Sequence, residues 1–468
     1  MGHSTRTRRA RQIQTLRAQF ALADGLPFAD ALPADRLQRA LAEEGASWRE
    51  VVFTPVLTLW AFLSQVVSPD GSCRAIVSRV LAWLVSRGER PCSPKTGPYC
   101  KARARLPESL LRRLAREAAR PLHEQAPADW LWKGRRVKVV DGTTVSMPDT
   151  PANQQDYPQS PSQAPGLGFP IARLVVVFCL ACGAALDAAL GRYRGKRTGE
   201  NALLRTLGDA LQQGDVVLAD RYFGGYFDLA LWRRRGVDFV VRLHQLRRCD
   251  FRRGRRLGRR DHVVRWAKPQ RPDWLDEAAY RALPASLEVR ELEVRVPQAG
   301  FRTRRLVVVT SLTDAAEFAA AELAAAYRAR WHAELDLRSL KVTLGMDVLR
   351  CQSPAMVRKE VWAHLLAYNL IRAVMARAAL DLGCPPRWLS FTGALQALTA
   401  FAERLLEARG EKARALHGWL LIVIGSHQVG DRPDRTEPRA RKRTPKHYPK
   451  LDRPRDEVRK QMAKRVKA

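Results

Sequence analysis

Acidic residues are in short supply in this chain. Against 81 Lys and Arg there are 47 Asp and Glu in 468 residues, which leaves a formal charge of +34 and a pI near 10.8. A folded protein with that imbalance repels itself unless a polyanion offsets it, which points to nucleic acid first and an anionic membrane surface second. No lipidation motif or basic amphipathic anchor supports the membrane. Long apolar runs are also lacking: VVFTPVLTLWAFLSQVV and LVVVFCLACGAAL are too short, or too interrupted by Pro, Ser and Thr, to span a bilayer. The opening MGHSTRTRRARQIQ holds no apolar core of a secretory leader. Cysteine is sparse, eight in all, and the one CxxC, Cys179–Cys182, lies in an apolar strand-like run without a second pair. Buried thiols are expected there rather than zinc or redox chemistry, and a reducing cytoplasm is the expected compartment. His244, Cys249 and His262 match the spacing of no known metal-site type, and no metal is expected on them.

What is present suffices for a sizeable core: 46% of residues are hydrophobic, and the length allows roughly two to four domains. Residues 1–130 read as helical, because PADRLQRALAEEG, the apolar run at 51–67, SCRAIVSRVLAWLVSRG and PESLLRRLAREAAR show three-to-four spacing broken by Gly or Pro. Lys101, Arg103 and Arg105 fall near a helix junction, as a DNA-docking surface or a solvated basic turn. Residues 131–242 change pattern. RRVKVVDGTTVSM reads as two short strands about a turn; IARLVVVFCL and AALDAALGRY read as strands, and a helix is expected from about Glu200 to Gln213. Strand DVVLAD, helix GGYFDLALWRRRG and strand VDFVVRL complete a mixed α/β layer whose alternation implies a partly parallel sheet. Residues 243–312 interrupt it with a basic, β-rich insertion that includes RRCDFRRGRRLGRR, eight Arg in fourteen positions. In 313–350, Asp314 and Glu317 form an expected capping box for a helix running past Lys341. Residues 351–430 read as helical. Residues 431–468 read as a flexible basic tail whose 15 Lys and Arg less 6 Asp and Glu give +9.

Three acids stand out. Asp141 in VKVVDGTT and Asp220 in VVLADRYF each follow an apolar, β-branched run, where open α/β sheets build sites. The third, Glu334, lies in YRARWHAELDLRSLK, where Tyr327, Arg330, Glu334 and Lys341 fit Y-x2-R-x3-E-x6-K. On a helix they fall at roughly 0°, 300°, 340° and 320°, one narrow stripe. Taken singly, an Asp that ends a strand is more often a turn former than a ligand, and a lone helical Glu is usually solvated. Asp149, Asp156, Asp187 and Asp215 read as loop or surface acids. It is the ordered set of three, with cations around the third, that suggests divalent ions neutralising converging carboxylates. Magnesium suits such oxygen ligands, and two ions would serve phosphodiester transfer.

The blocks around Asp141, Asp220 and Glu334 closely resemble DDE-type insertion-sequence transposases of the subgroup defined by the YREK signature. The likeness spans roughly 95 to 405 and matches the four-residue spacing without a gap. It implies a ribonuclease H-like catalytic core with a β-rich insertion between helical N-terminal and C-terminal regions. Asp141, Asp220 and Glu334 would be the catalytic residues and the ligands for two magnesium ions, with manganese as the alternative. Tyr327, Arg330 and Lys341 would handle phosphates at the transposon end. A Trp of the insertion, Trp266 or Trp274, would hold a flipped base, although packing is an equal use for either ring. The implied partners are double-stranded DNA, both as terminal inverted repeats and as target, and a second copy of the chain in a synaptic dimer. The N-terminal region would bind the transposon ends, and 351–430 could carry dimerisation. Two other functions compete. A ribonuclease H-like nuclease or resolvase needs neither insertion nor stripe. A non-catalytic DNA-binding regulator has no use for three carboxylates facing phosphate.

Overall fold

The computed structural model describes residues 34–44, 52–86, 88–295, 305–429 and 451–465. Among the described residues, five helices come first: α1 (Ala34–Glu43), α2 (Pro55–Val67), α3 (Cys73–Ser86), α4 (Gly97–Arg105) and α5 (Glu108–Glu124). The apolar spacing of PESLLRRLAREAAR puts Leu110, Leu111, Leu114, Ala115 and Ala118 on one buried face of α5. Arg103 is turned inward: it donates to Gln65 Oε1 at 2.8 Å and lies over the rings of Phe62 and Tyr99. Residues 1–33, which fall within the expected N-terminal helical region, lie outside the described residues.

The α/β layer follows: β1 (Val137–Ser146), α6 (Pro151–Asp156), β2 (Ile171–Cys179), β3 (Ala185–Arg192), α7 (Glu200–Arg205), β4 (Val216–Ala219), α8 (Tyr226–Arg234) and β5 (Asp238–Arg242). Next come β6 (Arg255–Gly258), β7 (Asp261–Ala267), α9 (Glu277–Arg281), β8 (Ser286–Arg295) and β9 (Arg305–Thr310). These nine strands form one sheet in the order β3-β2-β1-β4-β5-β9-β8-β7-β6. The pairs β1/β4 and β4/β5 are parallel and the others antiparallel. The segment 243–312 therefore extends the sheet past β5 through the β5/β9 pairing rather than standing apart from it. Both faces are covered, as a partly parallel sheet requires. Val137, Val139, Leu174, Val176 and Leu218 face one core, and Val140, Val175, Val177, Val217 and Phe239 face the other with α7 and α8.

Then come α10 (Ala320–Ala329), α11 (Trp331–Arg338), a π-helical turn (Ser339–Thr343), α12 (Pro354–Leu382), α13 (Phe391–Glu407), α14 (Gly410–Ser426) and α15 (Arg455–Arg465). Helix α12 opens with Pro354 at its first turn and stops at Gly383, whose φ of 61° few other residues adopt cheaply. It is buried on almost every side and packs on α5.

Several expectations are corrected. Asp141–Gly142 makes no turn. Strand β1 runs straight through, because Asp141 to Ser146 pair with Val176 to Ile171 and tertiary pairing outweighs the local Asp-Gly preference. The helix at Glu200 ends at Arg205, before the helix-weak Thr206 and Gly208, and only a 3-10 turn at Gly208–Ala210 follows. Asp314 caps a turn instead of a helix, accepting from Ala316 N and Glu317 N. That turn lets Phe318 bury against Trp132 before α10 begins, where Glu322 accepts from Ala319 N at 3.0 Å. The single long helix is broken at Arg330 by i→i+3 hydrogen bonds and again by the π turn. Asp187 and Asp215 are buried ion-pair partners of Arg116 and Lys138, not surface acids. Part of the tail is helix α15, held by Arg455 to Asp149 at 2.7 Å and over the Phe169 ring; 430–450 and 466–468 lie outside the described residues.

Candidate active site

Strand period decides which way the acids point. Val137 and Val139 face the core under α12, so by alternation Asp141, Thr143 and Val145 share that face. On β4, Val216 and Leu218 do the same, so the next residue of that parity is Asp220. The parallel register pairs Val139 with Leu218. Asp141 and Asp220 thus each stand two residues beyond that pair, neighbours at the end of β4. Asp220 also caps the 3-10 turn Arg221–Phe223, its Oδ1 accepting from Tyr222 N at 2.7 Å.

Helix α11 crosses this edge and supplies the third acid. Asp141, Gly142, Asp220, Arg330, Glu334 and Lys341 line one open cleft of about 460 Å³, with Leu337, Arg338 and Val342 completing its wall. Arg330 bridges the acids: Nη2 meets Glu334 Oε1 at 2.9 Å and Nη1 meets Asp141 Oδ2 at 3.4 Å. Lys341, at the π turn, donates to Thr143 Oγ1 at 3.0 Å. Tyr327 is buried beside them, and its phenol is pushed up by that burial against the pull of Arg330 and Arg242. Arg330, Glu334 and Lys341 therefore converge on the cleft even though the helix is broken, and Tyr327 lies buried behind Arg330 without lining it.

The electrostatics are those of a site short of positive charge. Burial raises the Asp141 carboxyl from its ordinary 3.8 to about 6; Arg330 and the Gly142 N–H pull it down, while Glu334 and Asp220 push it further up. Burial also raises Glu200, whose side chain crosses beneath Gly142, so that a Cβ on Gly142 would lie 2.4 Å from Glu200 Cδ. The donors are oxygen only, and burial makes the charge on Asp141 costly to keep without a cation beside it. That donor set fits a hard divalent cation.

Two features have no signal in the sequence. Asp336, two residues after Glu334, is fully buried and binds Arg372 at 2.6 Å, Arg387 at 2.7 Å and Tyr368 at 3.0 Å. Arg387 in turn donates to the Leu180 and Cys179 carbonyls at the end of β2. This network pins α11 to α12 and to the sheet and so orients Glu334. Nothing in the sequence sets Asp336 apart from its neighbours. Gly142 reads as a turn former; instead it leaves space for Glu200.

Trp266 and Trp274 do not line the cleft. Trp266 is buried, donates Nε1–H to Glu291 at 2.8 Å and lies under Arg247; Trp274 lies under Arg205 with 3.3 Å from Cζ to the ring centroid. Neither presents an open face in this arrangement. No helix among the described residues is long and apolar enough to cross a membrane.

An all-oxygen acid cleft at the edge of a mixed sheet, in a strongly basic chain, is equipment for phosphodiester chemistry. The pattern described as Transposase DDE domain matches residues 132–370, about half of the chain. The chain belongs to that family of DNA transposases, enzymes that catalyse DNA cleavage and strand transfer. It is 26% identical over 435 residues to the transposase InsG of insertion sequence element IS4 from Escherichia coli strain K12, covering 90% of this chain and 92% of that one. The transposase of insertion sequence element IS421 from Escherichia coli is 37% identical over 82 residues, 18% of this chain and 21% of that protein. A piggyBac transposase synaptic complex with hairpin DNA aligns with 90% of this chain and 87% of its own at 11% identity, with a TM-score of 0.41, too loose a likeness to carry weight.

Proposed function

We propose that Asp141, Asp220 and Glu334 are the catalytic acids of this transposase and that they hold its divalent ions, magnesium first and manganese as the alternative. The observation that carries this reading is the shared cleft in which Arg330 bridges Asp141 and Glu334. Bound there, two such ions would activate the attacking oxygen and stabilise the leaving one. Strands β3-β2-β1-β4-β5 are read as a ribonuclease H-like core, with 243–312 as its insertion and 313–350 as the return to it.

The chain's own groups do the rest. Asp336 and its arginines hold Glu334 at the sheet edge. Arg330, which now neutralises two acids by itself, can turn to a DNA phosphate when their charge is met otherwise, and Tyr327 keeps its stem in place. Lys341 reaches the same edge from the π turn and offers a point charge to a second phosphate. Trp274 is the better candidate for a flipped base, since its ring is less buried than Trp266; Phe227 packs edge-on against it, and Arg205 would have to leave its face first. The N-terminal helices would bind the terminal inverted repeats, two copies would pair the ends, and a hairpin would form on the transposon end. Cytoplasmic residence follows from DNA as the substrate.

The test is strand cleavage of a labelled duplex carrying the terminal repeat, with magnesium. The native chain should cut at the repeat boundary. Glu334→Gln should bind the same duplex within a few-fold and leave it intact. Cutting by both would remove Glu334 from the site.

A further inference from the structure

We infer that Cys249, His262 and Glu291 form a second metal site, for a borderline-soft divalent ion of the zinc class. Cys249 lies in the arginine-rich loop after β5, His262 on β7, and Glu291 directly opposite it on β8. Their ligand atoms all lie within 4.8 Å of one another. His262 Nε2 is 3.0 Å from Glu291 Oε2 and 3.7 Å from Cys249 Sγ. Tetrahedral zinc, with bonds of about 2.0–2.3 Å, sets its ligands roughly 3.3–3.8 Å apart.

The hydrogen bonds around the cluster determine what lies between these atoms. His262 Nδ1 is 2.6 Å from the Arg253 carbonyl, which can only accept, so Nδ1 carries the hydrogen. In the neutral ring Nε2 then holds a lone pair, and it faces a carboxylate oxygen. Glu291 Oε1 is already taken by the Trp266 N–H at 2.8 Å. A carbonyl behind the imidazole and a donor behind the carboxylate are the supports that orient ligating His and Glu side chains. Two facing lone pairs need positive charge between them. Without a metal, burial and the Glu291 carboxylate push the Cys249 thiol up, so its S–H serves that carboxylate. A dication takes the place of that proton, which is released on binding, serves all three groups and balances the charge of one thiolate and one carboxylate. His262 and Glu291 are 1% and 4% exposed, so this charge balance is made away from water. Water would fill the fourth position.

The loop is the reason such a site matters. Arg247, Arg248, Arg252 and Arg253 flank Cys249 closely on both sides. A metal on Cys249 would fasten that basic loop to the far end of the sheet and hold its guanidiniums in one arrangement.

The experiment is a cobalt(II) titration of the full chain, stripped with chelator and held in excess magnesium to occupy oxygen ligands. The expected result is stoichiometric binding with thiolate-to-cobalt charge-transfer absorption, displaced by zinc. The band should be lost in Cys249→Ser and kept in Glu334→Gln, which separates this site from the cleft. No band in the native chain, or a band that survives Cys249→Ser, would overturn the assignment.

Discussion

Replacing Asp141 by asparagine should stabilise the metal-free protein while it abolishes cleavage. The carboxyl is held at about 6 instead of 3.8, chiefly by burial, and its side chain is 18% exposed. That gap of about two pH units corresponds to about 3 kcal/mol spent on keeping the group charged at pH 8. The sign follows from linkage. An acid whose pKa is raised on folding contributes stability that is fully present below about 4 and is lost as pH rises through about 6. Metal-free native protein should therefore melt higher at pH 5 than at pH 8, and Asp141→Asn should flatten that dependence. Spread over a chain of this length, 3 kcal/mol raises Tm by about 3 °C at pH 8, an upper value because the substitution also loses the attraction of Arg330. The assay is thermal unfolding in EDTA across pH 5–8, repeated with magnesium. Magnesium should raise the Tm of the native chain and leave that of the variant nearly unchanged. A variant less stable than the native chain at pH 8 in EDTA would refute the claim that the site is charge-starved.

Asp336→Ala leaves Arg372 and Arg387 buried without their shared carboxylate and should cost about 3–5 kcal/mol, read as a lower denaturant midpoint. An unchanged midpoint would mean that α11 is held by other contacts. Arg330→Ala and Lys341→Ala should lower the rate of end processing more than they lower nonspecific DNA binding, as cleavage and filter-binding measurements on the same duplex would reveal. Deleting 431–468, with its net charge of +9, should flatten the salt dependence of DNA affinity and leave sequence-dependent end binding in place. Total loss of affinity would move the binding surface to the tail.

Much of the cleft is legible in local pattern. VKVVD and VVLAD read as strands that carry an acid just past an apolar run, and period two puts both acids on one face. The offsets of Tyr327, Arg330, Glu334 and Lys341 read as one side of a helix, and the last three do line one cleft, although the helix is interrupted at Arg330 and winds differently at Ser339–Thr343. What pattern cannot supply is the pairing of distant segments. Asp141 stands beside Asp220 because β1 pairs in parallel with β4, and Arg330 reaches Asp141 across 189 positions of sequence. Nothing in the sequence marks Asp336 or Glu291; both are buried by contacts with other segments. His244 lies nearer to Cys249 in sequence than His262 does, yet Glu291 is the residue that joins those two. Periodicity records only which residues share a face, because helix and strand geometry repeat over a few positions. Which faces meet is decided by strand pairing and core packing, whose free energy resides in contacts between segments that no short stretch contains.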